Sequence, residues 1–81
     1  MPDVDLSGSL RDAAGGAASI SIEAATIREL LRKLVERYPA MQEKVDEGIA
    51  VSINGDIYRD NWSEPIPANA EIFLLPRIAG G

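Results

Sequence analysis

The chain has 81 residues, 46% hydrophobic and 26% charged, with no cysteine and no histidine. That length suits one domain with a thin core, and the missing side chains exclude a disulfide framework, a Cys/His zinc site, a thiol nucleophile and a Ser-His-Asp triad. A formal charge of −5, from 8 Lys and Arg against 13 Asp and Glu, argues against nucleic acid or an anionic membrane as partner and favours a basic protein surface.

Met1 to Asp5 carries acid where a secretory signal needs base, and no apolar run nears ~18 residues, so the expectation is a soluble, cytoplasmic protein. Val4, Leu6 and Leu10 alternate with polar residues or glycine, which predicts a half-buried strand over Val4 to Leu10. Arg11 to Gly16 reads as a turn, and the alternation of Ala18, Ile20 and Ile22 predicts a second strand, hence a hairpin. The period then changes. Ile27, Leu30, Leu31, Leu34, Val35 and Tyr38 form one apolar stripe at helical spacing, opened by a Thr26/Glu29 capping box and closed by Pro39. The opposite face, with Arg28, Glu29, Arg32, Lys33, Glu36 and Arg37, reads as solvated surface. Ala40 to Asp46 suggests a short helical turn ended by Gly48. Ile49, Val51 and Ile53 alternate in a third strand, Asn54-Gly55 suits a two-residue type I′ turn, and Ile57-Tyr58 returns as a short strand. Asp60 to Ala70, with Pro65, Pro67 and Asn69, reads as an irregular loop. Glu71 to Leu75 is the last strand, stopped by Pro76. This order predicts an α+β fold with one sheet covered on one face by a single main helix.

Conventional chemistry finds no support. Ser7, Ser9 and Ser19 have no imidazole to activate them. Asp46, Glu47 and Asp56 lack calcium-loop spacing, and Gly8, Gly15 and Gly16 match no phosphate-cradling motif. No metal site is expected. Two features call for explanation. In the last strand Ile72 and Leu74 point one way while Phe73 and Leu75 point the other, toward a face that the single helix leaves open. An apolar spot there, beside Ala50, Ser52, Ser7 and Asp5, suggests a protein partner. Packing of Phe73 beneath the Trp62 loop is the structural alternative. The second feature is the ending Pro76-Arg77-Ile78-Ala79-Gly80-Gly81. Five residues beyond Pro76 reach roughly 17 Å when extended. Glycines can thread a narrow channel and present a terminal carboxylate to another protein's active site; a frayed polar terminus is the plain alternative. Such a carboxylate is ionised and a poor electrophile, so an acyl-adenylate is the natural activated form.

Together, Leu10-Arg11-Asp12-Ala13-Ala14-Gly15, Thr26 to Leu31, Glu36-Arg37-Tyr38-Pro39, Val51 to Gly55 and Leu74-Leu75-Pro76-Arg77-Ile78-Ala79-Gly80-Gly81 resemble the MoaD/ThiS sulfur carriers over nearly the whole chain. The resemblance implies a ubiquitin-like β-grasp fold, with a mixed sheet and one main helix, over residues 1–76, and a flexible tail over residues 77–81. It implies that a ubiquitin-activating-like adenylyltransferase uses ATP to adenylate Gly81, and that a persulfide then leaves a thiocarboxylate there. No cofactor would be bound permanently. By the same resemblance Gly80 and Gly81 carry the function, Arg77, Ile78 and Ala79 line a partner's channel, and Phe73 and Leu75 touch the partner. The favoured role is the small subunit of molybdopterin synthase, paired with its large subunit. Alternatives are a carrier for thiamine thiazole or cysteine synthesis with another sulfur-acceptor enzyme, a ubiquitin-like modifier, or a plain interaction module. The chain departs from the molybdopterin-type pattern at Arg77, where a second proline is common, at Ser7, where an aromatic is common, and at Asn69, which replaces a turn glycine. Trp62 reads equally as an interface anchor or as a lid on the core.

Overall fold

The computed structural model describes residues 3–59 and 61–76. Five strands, β1 (Asp3–Leu6), β2 (Ser19–Ser21), β3 (Ile49–Ile53), β4 (Asp56–Tyr58) and β5 (Glu71–Pro76), form one sheet in the order β2-β1-β5-β3-β4. The last strand lies in the middle, parallel to β1 and antiparallel to β3. The helices are α1 (Ser9–Ala13), α2 (Ile27–Arg37) and α3 (Met41–Glu47). This is the mixed sheet with one main helix expected of a β-grasp fold.

The core follows the two periods of the sequence. Val4, Leu6, Ile20, Ile49, Val51, Ile53, Ile72 and Leu74 point from the strands toward α2, which buries Ile27, Leu30, Leu31 and Leu34 against them. Each such side chain contributes roughly 1.5–3 kcal/mol when removed from water. Val35 and Tyr38 are half-buried at the edge of this layer. The free N–H groups that open α2 all find acceptors. Ile27 N donates to Glu64 O and Arg28 N to Trp62 O, while Glu29 N donates to Thr26 Oγ1 at 3.2 Å. Glu29 Oε1 in return accepts from Ala25 N at 2.9 Å, next to the expected capping position. The loop after β4 is therefore stitched to the start of the main helix, with Ile66 N donating to Ala25 O as a third tie.

One expected element is corrected. The first strand stops at Leu6, and Leu10 belongs to α1 rather than to a strand running from Val4. Gly8, at φ 58 and ψ −135, turns the chain into a conformation that side-chain-bearing residues avoid. Arg11 N then donates to Gly8 O and Ala14 N to Leu10 O, closing a single helical turn that buries Leu10 and Ala14. The β1–β2 pairing survives, with Val4 opposite Ile20, so the hairpin is real but its connection contains a helix.

At the other hairpin Asn54 and Gly55 take φ 50 and 93, the two positive values of a type I′ turn. Asn54 also clasps the start of β5: its N–H donates to Glu71 O and its Oδ1 accepts from Glu71 N, both at 2.9 Å. Asn69 has φ 59, which asparagine tolerates and which the turn before β5 needs.

Candidate functional site

The open face of the sheet is fixed by strand register. Because side chains alternate, the residues that share it are Ser19 and Ser21 on β2, Asp3 and Asp5 on β1, Glu71, Phe73 and Leu75 on β5, Ala50 and Ser52 on β3, and Ile57 on β4. One row crosses all five strands: Ser19, Asp5, Phe73, Ser52, Ile57. Ile57 is 56% exposed and Phe73 40%, the large apolar side chains most open to solvent among the described residues. Between them Ser52 is only 9% exposed. Leu75 and Ala50, opposite each other, are half-buried and extend the apolar part along the strands.

The end of β5 is held from both sides. Pro76 lies opposite Ile49 on β3, while Ser7 Oγ donates to Leu74 O at 3.4 Å. A side-chain carbon at Gly8 would stand 3.6 Å from Pro76 Cγ, so the turn after β1 also abuts the last residue of the strand.

Phe73 and Leu75 thus stand together on the open face. Phe73 is not covered by the Trp62 loop, which the α2 hydrogen bonds hold on the helix side of the sheet. Trp62 is half-buried and packs against the core, and its half-open side leaves both the lid and the anchor reading in place. Arg77, Ile78, Ala79, Gly80 and Gly81 lie outside the described residues. Ile57 is the face residue that the sequence reading did not single out. Its signal was the two-residue turn, which sets Ile57 opposite Ser52 and so on the side of Phe73.

Elsewhere little chemistry is assembled. Among the described residues no group of three or more acidic side chains is placed to hold a metal ion, and no helix is long and apolar enough to cross a membrane. A cavity of about 510 Å³ lies between α2 and the long loop, lined in part by Glu23, Glu29, Lys33, Ile66 and Asn69. Its lysine is already engaged, with Nζ 2.6 Å from Glu23 O and 3.8 Å from Glu29 Oε1.

A fold whose central last strand runs out beside an open apolar face fits the tail-bearing carriers, and the comparison with family models decides the matter: the model of the ThiS family matches residues 4–81. The chain belongs to the ThiS family. No curated protein matched it. Among solved structures, this ThiS-family chain is similar to SAMP1 from Haloferax volcanii, at 27% identity over 98% of this chain and 97% of that one, with a TM-score of 0.76. The CysO of the Amycolatopsis orientalis BexX/CysO complex shares the fold at 22% identity, with full coverage of both chains and a TM-score of 0.79. So does a Pyrococcus furiosus protein assigned as molybdopterin converting factor subunit 1, at 22% identity, 94% and 95% coverage and a TM-score of 0.78. The β-grasp fold is thereby shown, and the chain is a ThiS/MoaD-type sulfur carrier or small modifier.

Proposed function

We propose that this chain is a sulfur carrier whose Gly81 carboxylate is adenylated and then converted to a thiocarboxylate. The observation that carries the reading is the family match, which runs to Gly81 itself and takes in the Gly80-Gly81 pair. The carboxylate attacks the α-phosphate of ATP in a ubiquitin-activating-like adenylyltransferase and releases pyrophosphate. A persulfide sulfur then attacks the acyl carbon and AMP leaves. A second thiol of the sulfur donor attacks the donor-side sulfur of the resulting acyl disulfide, a disulfide forms within the donor, and the thiocarboxylate leaves on Gly81. The chain itself holds no permanent cofactor in this scheme; ATP belongs to the activating enzyme.

Each segment has a part. Gly80 and Gly81, lacking Cβ atoms, enter the narrow channel of the partner; Arg77, Ile78 and Ala79 line it; Phe73 and Leu75 seat the globular domain outside. The acceptor favoured is the large subunit of molybdopterin synthase, which makes this chain the small subunit; the fold shared with the Pyrococcus furiosus protein supports that choice. The relation to SAMP1 supports a second reading, in which Gly81 ends in an isopeptide bond to a lysine of another protein. The BexX/CysO complex supports docking of such a fold on a partner enzyme.

The test is intact mass after incubation with ATP, an activating enzyme and a sulfur donor. Replacement of one oxygen by sulfur, located in the C-terminal peptide, is expected. An unchanged mass with an enzyme shown to be competent refutes the carrier reading, and higher-mass covalent adducts in cells select the modifier.

A further inference from the structure

The open face is divided by charge. Its β5-β3-β4 half is apolar, with Phe73, Leu75, Ala50 and Ile57, whereas its β1 side carries Asp3 and Asp5 with Glu71 beside them. Asp3 lies opposite Glu71 in the parallel register, and Asp5 lies opposite Phe73. Like charges on neighbouring strands repel, and no ion pair among the described residues engages them. The ion pairs found there, Arg32–Glu36, Lys33–Glu29 and Lys44–Glu47, all sit on α2 and α3. Asp3 accepts a hydrogen bond from Ser21 Oγ at 2.8 Å, which orients it without neutralising it.

A second observation lies in the same row. Phe73, 40% exposed, stands directly opposite Asp5 on the neighbouring strand, so an open aromatic ring and a carboxylate with no ion pair among the described residues share one spot of the face. An aromatic ring and a carboxylate one strand spacing of about 4.8 Å apart match one kind of side chain. A guanidinium can stack on a phenyl ring while donating to a carboxylate, and its neighbours can fill the aliphatic part.

From this juxtaposition we infer that the open face docks a partner protein through an arginine flanked by aliphatic residues, the arginine lying over Phe73 and reaching Asp5 and Asp3. The inference rests on the carrier reading for the identity of the partner and names the chemistry of that partner's surface.

The experiment has two arms. In the first, the full chain labelled with 15N is titrated with acetylated, amidated leucyl-arginine and with its citrulline counterpart, which has the same shape without charge. Shifts centred on Asp5, Phe73 and Ser52 are expected, with apparent affinity for the arginine peptide about threefold higher at low salt. That preference should vanish in D5N and in concentrated salt. Equal titration by the two peptides, or shifts centred on α2, overturns the inference, as does self-association in which the α2 arginines of a second copy occupy the face. In the second arm, D3N/D5N is compared with the wild type as substrate of the activating enzyme, where a rise in KM at constant kcat is expected and an unchanged KM overturns the inference for that partner. Absence of adenylation of the wild type refutes the carrier reading, while the peptide arm still decides the surface.

Discussion

The Asn54 clasp offers a quantitative test of how the fold supports the open face. Replacing Asn54 by alanine places a residue that avoids positive φ at φ 50, which costs about 1–2 kcal/mol, and removes the acceptor for Glu71 N. That hydrogen bond is solvent-exposed, so its net worth is at the low end, about 0.5–1 kcal/mol. The expected sum for N54A is about 1.5–3 kcal/mol, an appreciable share of the roughly 4–12 kcal/mol that a domain of this size has. Two companions separate the terms. N54G keeps the turn and loses the acceptor, so it should fall by about 0.5–1 kcal/mol; N54D keeps both and should stay within about 0.5 kcal/mol of the parent. Urea unfolding followed by circular dichroism and by Trp62 emission gives the free energies, and coincident transitions license the two-state treatment. If N54A and N54G match, the backbone strain argued here does not exist. If N54D falls as far as N54A, the acceptor role of the side chain is wrong.

The remaining expectations are simpler. Thr26→Ala, which removes the acceptor of Glu29 N, should cost about 0.5–2 kcal/mol in the same unfolding assay. Leu74→Ala, at a position with 0% exposure, should cost about 2–5 kcal/mol and expand the native state measurably by hydrogen exchange. Phe73→Ser should leave stability within about 0.5 kcal/mol, since the ring is 40% exposed, yet raise the KM for adenylation; an unchanged KM removes Phe73 from the docking surface. Desolvation, followed by the carboxylates of Glu64 and Asp56, raises the Tyr58 phenol above its ordinary 10.0. The unfolded chain therefore loses that proton first, so the contribution is complete below about pH 10 and is lost as pH climbs through the folded value; Tyr58→Phe should flatten that alkaline limb.

What the sequence shows depends on which signals are local. The α2 stripe, its cap, the Asn54-Gly55 turn and the double-sided last strand are local patterns, and each appears in the structure where the residues place it. The α1 turn was hidden because Val4, Leu6 and Leu10 fit a period of two as well as any strand. The competing signal, Leu10 with Ala13 and Ala14 at helical spacing ahead of two glycines, spans only one turn. Gly8 decided between them by a backbone conformation that no periodicity reports. Phe73 and Leu75 were assigned to the open face by alternation alone, whereas Ile57 needed the cross-strand register as well. The charge division of that face was less accessible still, since it arises only when β5 inserts between β1 and β3 and brings Glu71 beside Asp3.

The placement of β5 has a mechanical corollary. A force applied to the chain beyond Pro76 pulls along a strand clamped on both flanks, by the Asp3 to Leu6 ladder on one side and the Ile49 to Ile53 ladder on the other. The ladders must then shear together instead of unzipping one rung at a time. Tugging at the extremity during threading, release or proteolytic capture would meet its stiffest resistance at that junction, and the globule would stay intact while its end is worked upon.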